Sequence, residues 1–146
     1  VKREVPILRV HSQIPRARIH RHHLLKCARV GLRHFGRPVT SIDFIIISAR
    51  KMAELHRCYL SLPGATDVLA FDLSDNGMPV EGEVYICLDR ARRQAAEYGV
   101  PLPLEIARLA VHGLLHLAGE EDGSEAGRMR MKRLEDLALR KAERAK

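Results

Sequence analysis

The chain has 146 residues, 46% apolar and 29% charged, with a formal net charge of +7 and a pI near 9.8. That length supports one domain, spanning 1–146, and is too short for two. The charge favours an acidic partner, nucleic acid before an anionic membrane surface, and no apolar run reaches the ~20 residues that cross a bilayer.

Tryptophan is absent and aromatics make up 4% of the residues, so the core must be aliphatic. Cys27, Cys58 and Cys87 are far apart and form no C-x-x-C. They therefore do not read as a disulfide framework or a zinc finger. A reducing compartment fits them, no secretory signal pattern opens the sequence, and the expected location is the cytoplasm.

In chain order, "VPILRV" (Val5–Val10) reads as a first strand, with Pro6 marking an edge or a strand start. Ile19, Leu24, Leu25, Ala28 and Leu32 then recur at helical spacing, which predicts a helix from Arg18 to Phe35, stopped by Gly36 and Pro38. Its other faces carry Arg18, Arg21, Lys26, Arg29 and Arg33. "SIDFIIIS" (Ser41–Ser48) is β-branched and nearly continuous, the pattern of a central strand buried on both faces. "ARKMAELHRCYL" predicts a helix with Met52, Leu55 and Tyr59 on one side.

Beyond the Pro63–Gly64 turn, "TDVLAFDL" (Thr66–Leu73) and "GEVYICL" (Gly82–Leu88) predict two strands around an Asp75–Asn76–Gly77 turn. Three helices follow, at Asp89–Tyr98, Leu104–Ala118 and Ser124–Lys141. Ser124 and Glu125 suit the last N-terminus, and Met129, Leu134 and Leu137 mark its apolar side beside many Lys and Arg. The order β-α-β-α-β-β-α-α-α predicts an α/β (α+β) domain: a small mixed sheet of about four strands covered by helices.

The chemistry gathers at "AVHGLLHLAGEED" (Ala110–Asp122). Residues four apart share a helix face, so His112 and His116 present two imidazoles to one point. The helix around them is apolar nearly all round, where unpaired imidazoles are costly. Gly119 offers a helix stop that lets "EED" turn back to them. The pattern His112-x-x-x-His116-x-x-Gly119-x-x-Asp122 gives three ligands and an open position, the catalytic type of site. Asp122 is the third ligand by position, with Glu121 and Glu120 as fallbacks. The position after the first histidine, glutamate in an H-E-x-x-H protease, is Gly113, which can do no acid–base work. The "HRHH" run, His20–His23, reads as solvent-facing, since neighbouring helical histidines point apart.

"HGLLHLAG" resembles the H-G-x-L-H-L-x-G-Y-D-H signature of the YbeY family of rRNA-maturation endoribonucleases. "LHRCYL" (Leu55–Leu60) is similar to that family's L-N-x-x-Y-R, "TDVLAF" (Thr66–Phe71) to its T-D-V-L-S-F, and "GEVYIC" to its G-D-I-x-I-x. The likeness runs from about Ile42 onward. It implies a compact metalloprotein that cleaves single-stranded RNA in ribosome maturation and quality control. The implied partners are precursor rRNA and the small ribosomal subunit or its proteins, with no membrane. One divalent metal is implied, zinc first, on His112, His116 and the third position, here Asp122 where the family has histidine. A His₂-carboxylate set also admits iron or manganese.

Leu60 stands where the family has arginine. Arg57, one turn earlier, is the candidate to cover that role at the reacting phosphate. Glu121, with Glu120 behind it, is the candidate general base; Asp67 is the candidate to orient a ligand imidazole. Arg21, Lys26, Arg29 and Arg33 are candidate RNA contacts. Two other readings compete: a small zinc metallopeptidase, opposed by Gly113, and a non-catalytic metal- and RNA-binding ribosome-associated protein, suggested by Leu60.

Overall fold

The computed structural model describes residues 5–144. The elements are β1 (Ile7–Ser12), α1 (Arg21–Gly31), β2 (Val39–Ile47), α2 (Ala49–Leu60), β3 (Val68–Asp72), β4 (Val80–Cys87), α3 (Leu88–Tyr98), α4 (Leu102–Leu117) and α5 (Glu125–Arg144), with a 3₁₀ turn at Leu32–His34. The sheet order is β1-β2-β4-β3; β1, β2 and β4 run parallel and β3 is antiparallel to β4. The expected element order and four-stranded mixed sheet are what the chain forms.

Strand alternation splits the core across the sheet. Ile42, Phe44 and Ile46 of β2, with Val84 and Ile86 of β4, face α1 and α4, along with Leu88 and Ala91 of α3. Ile45, Ile47 and Cys87 face the other way, onto Met52 of α2. β2 is therefore buried on both faces, as its continuous apolar run requires. On the α2 side, Arg9 and His11 of the edge strand β1 pair with Asp43. These bonds, Arg9 first, hold the Asp43 carboxyl below its usual range against the opposing effect of burial.

Most element ends lie within a few residues of expectation, and three differences stand out. β1 begins two residues later than Val5, because Pro6 has no N–H for a ladder, and continues to Ser12 opposite Ile46. The first helix starts at Arg21, not Arg18: Arg16 takes a left-handed conformation (φ 62°) and the Arg21 N–H closes a tight turn on Ile19 O just before the helix. It gives way to the 3₁₀ turn before reaching Phe35. On α5, Met129 and Leu137 are exposed; the buried stripe is Met131, Glu135, Ala138, Leu139 and Ala142. The small Ala138 and Ala142 pack where Cys27 of α1 and Ala107, Val111 and Leu115 of α4 meet α5.

α4 is the helix on which α1, α3 and α5 converge, with nine of its residues buried. Gly113 makes its seating possible. A Cβ there would lie 2.5 Å from Val84 Cγ1 and 3.1 Å from Val68 Cγ2, so only glycine lets this turn rest on the sheet. Just past the end of α4, Gly119 (φ 99°) donates its N–H to His116 O while Glu120 N–H bonds Leu115 O. This left-handed stop turns the chain back along the helix.

Candidate metal centre

The turn after Gly119 brings Asp122 over the two histidines. His112 Nε2 lies 3.1 Å from His116 Nε2, and Asp122 Oδ2 is 3.5 Å from each. A tetrahedral ion bound at ~2.0–2.1 Å holds its ligand atoms about 3.3 Å apart. The three donors already stand at that spacing. Their chemistry, two imidazole nitrogens and a carboxylate oxygen, suits a divalent metal, and among the described residues they are the one group of His, Cys, Asp and Glu placed to hold an ion. The His20–His23 run contributes no such group among those residues.

The imidazole of His112 is fixed from behind. Its Nδ1 lies 2.7 Å from Glu135 Oε2, and a carboxylate can only accept, so Nδ1 carries the hydrogen and Nε2 faces the ligand cluster. Glu135, only 3% exposed, is itself held by Arg108 Nη1 at 2.8 Å. Arg108 also bonds Glu105, through Nε at 2.7 Å and through Nη2, and its guanidinium lies over the Tyr98 ring. Two buried carboxylates thus share one guanidinium, and His112 supplies the remaining positive or donating contact. Burial opposes the charged form of His112, but the bond to Glu135, its charge, and Asp67 and Asp122 outweigh that and raise its pKa.

The other expected site residues fall in different places. Asp67 is engaged by Gln94 Nε2 at 3.2 Å, so it acts on His112 through space while Glu135 makes the orienting bond. Glu120 is gripped by both Nε and Nη2 of Arg130, at 3.0 and 3.1 Å, which lowers its pKa. Glu121 is exposed and its carboxylate is not part of the three-ligand cluster. Arg57 is exposed on α2, whose buried Met52 packs on the sheet face opposite α4. Leu60, at the end of the same helix, is 48% exposed. Arg21, Arg29 and Arg33 are exposed, and Lys26 is half-buried.

Glu135, Arg108 and Glu105 escape a reading centred on the histidines, yet each left a trace. Glu135 occupies a position in the apolar stripe of α5. Glu105, Arg108 and His112 follow one another at i, i+3 and i+7 along an otherwise apolar helix.

The family model for Endoribonuclease YbeY matches residues 16–143. The chain belongs to the YbeY family. Among its relatives, the Endoribonuclease YbeY of Chlorobium phaeovibrioides is 37% identical over 80% of this chain and 78% of its own. That of Flavobacterium psychrophilum is 34% identical over 68% of this chain and 70% of its own. A Thermotoga maritima protein known from its solution structure shares the fold, with a TM-score of 0.64 at 20% identity over 93% of this chain and 89% of that one. No helix among the described residues is long and apolar enough to cross a membrane.

Proposed function

We propose that this YbeY-family protein is a metal-dependent endoribonuclease that cuts single-stranded RNA during rRNA processing and ribosome maturation in the cytoplasm, with zinc as its metal. The observation that carries this reading is the His112–His116–Asp122 triangle, whose 3.1–3.5 Å edges match the donor spacing of a zinc ion. A zinc ion held there supplies Lewis acidity at a phosphoryl oxygen and acidifies water.

The chain's own residues do the rest. Glu135 holds the His112 Nδ1 hydrogen and aims Nε2. Arg130 occupies Glu120, which leaves Glu121 as the free carboxylate for moving a proton. The basic residues of α1 and the 3₁₀ turn after it, Arg21, Lys26, Arg29 and Arg33, attract the RNA backbone, ahead of contacts with the small ribosomal subunit. Arg57 is the candidate to support the reacting phosphate; wild-type cleavage by Arg57→Ala removes it from that role.

A peptidase reading meets a steric obstacle. Its catalytic glutamate would have to replace Gly113, where even a methyl group collides with Val84. The test is incubation of zinc-loaded protein with single-stranded RNA, duplex RNA and casein, beside a His112→Ala/His116→Ala control. Cleavage of the single strand alone, abolished in the control, is the expected result. Intact RNA, or equal cleavage by the control, would overturn the reading.

A further inference from the structure

His112 and Asp122 do not only face each other. Both also line a cavity of ≈ 560 Å³ between α4 and α5, within the ~300–1,000 Å³ range of small-ligand clefts. The cavity has two chemically distinct ends. At the level of the metal ligands α5 presents Arg128 and Lys132, both exposed and therefore free to reach a bound anion. The far end is apolar, walled by Val100, Leu104 and Leu139.

Charge is graded along α5 in single-turn steps. Arg128, Lys132 and Asp136 follow at intervals of four residues, about 6 Å each, so two cations precede one carboxylate on the same face. The other acids on the wall are engaged: Glu105 and Glu135 by Arg108 and His112, and Asp122 beside the two histidines. A second depression of ≈ 400 Å³ shares Leu104, Asp136 and Leu139 with the first and runs on to Arg140 and Glu143. The groove therefore continues past the space one small ligand would fill, as a polymer requires.

We infer that this cavity is the subsite for one unstacked nucleotide of single-stranded RNA, next to the phosphate that is cut; the inference rests on the endoribonuclease reading. Arg128 and Lys132 take the phosphates flanking that nucleotide. The base lies against Leu104, Leu139 and Val100, and Asp136 accepts a hydrogen bond from a base N–H. A base can enter only after leaving its stack, so the cavity admits single strands and rejects duplex.

The test measures fluorescence anisotropy of a fluorescein-labelled 12-nucleotide single-stranded RNA with metal-stripped protein, which cannot cut it, over a salt series. Two variants are compared with wild type: Arg128→Ala/Lys132→Ala, at exposed positions that leave the fold intact, and Val100→Trp, which fills the apolar end. The double variant is expected to bind at least tenfold more weakly. Its log–log salt slope should be shallower by about 1.4, two phosphates at ~0.7 each. Val100→Trp is expected to weaken binding without changing the slope. In zinc-loaded protein the double variant should raise KM more than it lowers kcat. Wild-type affinity and slope in the double variant, with wild type still binding and cutting the strand, would overturn the subsite and leave the endoribonuclease reading standing. A wild type that neither binds nor cuts the strand would overturn both.

Discussion

Glu135 is a charged side chain in the buried stripe of a surface helix, and its position follows from what it holds. Removing its charge leaves the Arg108 guanidinium partly unmatched and frees the His112 ring to rotate. Groups that bond the far side of a metal-ligating imidazole typically contribute 10–100-fold to metal affinity. Glu135→Gln should therefore weaken zinc binding by about that factor, and Glu135→Asp by less, measured by competition with a chromophoric chelator. Unchanged affinity in Glu135→Gln would remove it from the metal site. Gly113 sets an opposite kind of limit. Gly113→Ala inserts a methyl group 2.5 Å from Val84 Cγ1, and overpacking of this kind costs about 1–3 kcal/mol. A lowered urea midpoint with unchanged slope is the expected result. Both histidines and Asp122 could be read in the sequence because their geometry is local, one helix turn and one glycine stop. Glu135 could not, because its role exists only once α5 has folded back on α4, 23 residues away from His112.

Between α4 and α5 the loop that carries Asp122 is tied down on its outer side by the contact of Glu120 with Arg130. The lowered pKa of Glu120, caused first by its bond to Arg130, fixes the sign of its pH dependence. The contribution is complete above the ordinary glutamate range of about 4.3 and is lost as pH falls through the lower folded value. Urea unfolding should therefore separate wild type from Glu120→Gln at pH 6 and 7, and the two curves should converge as pH drops below about 4. A gap that persists at low pH would mean that the loop is held by something other than this pair. The elements themselves were largely legible: each strand and helix falls where its period and punctuation place it, give or take about a turn at the ends of α1 and α5 and two residues at the strands and α4. The register of α5 was not. Large side chains such as Met129 and Leu137 draw the eye, whereas close helix packing is carried by Ala138 and Ala142, which a hydrophobicity pattern underweights.

At the scale of the molecule, the candidate site joins three consecutive segments of the chain. Two candidate ligands come from α4, one from the loop beyond it, and the carboxylate that orients His112 from α5. Metal held by such a set binds the folded chain and not the unfolded one, so it stabilises by mass action, about 2.7 kcal/mol at a hundredfold excess over Kd. Adding zinc should raise Tm and chelation should lower it, while His112→Ala/His116→Ala should melt at one temperature in either condition. A chelator effect of equal size in the double variant would place the bound metal elsewhere. The strand order β1-β2-β4-β3 was the least legible feature, since pairing between β2 and β4 joins residues about 40 positions apart and leaves no local trace.

Arg108 divides a single guanidinium between Glu105 and Glu135, both of them almost fully buried. Loss of any one strands the others, whereas joint replacement by apolar residues can preserve the fold. Positions 105, 108 and 135 should therefore vary as a block across descendants of this chain. A lineage that has exchanged the trio should also have altered how it seats the first histidine.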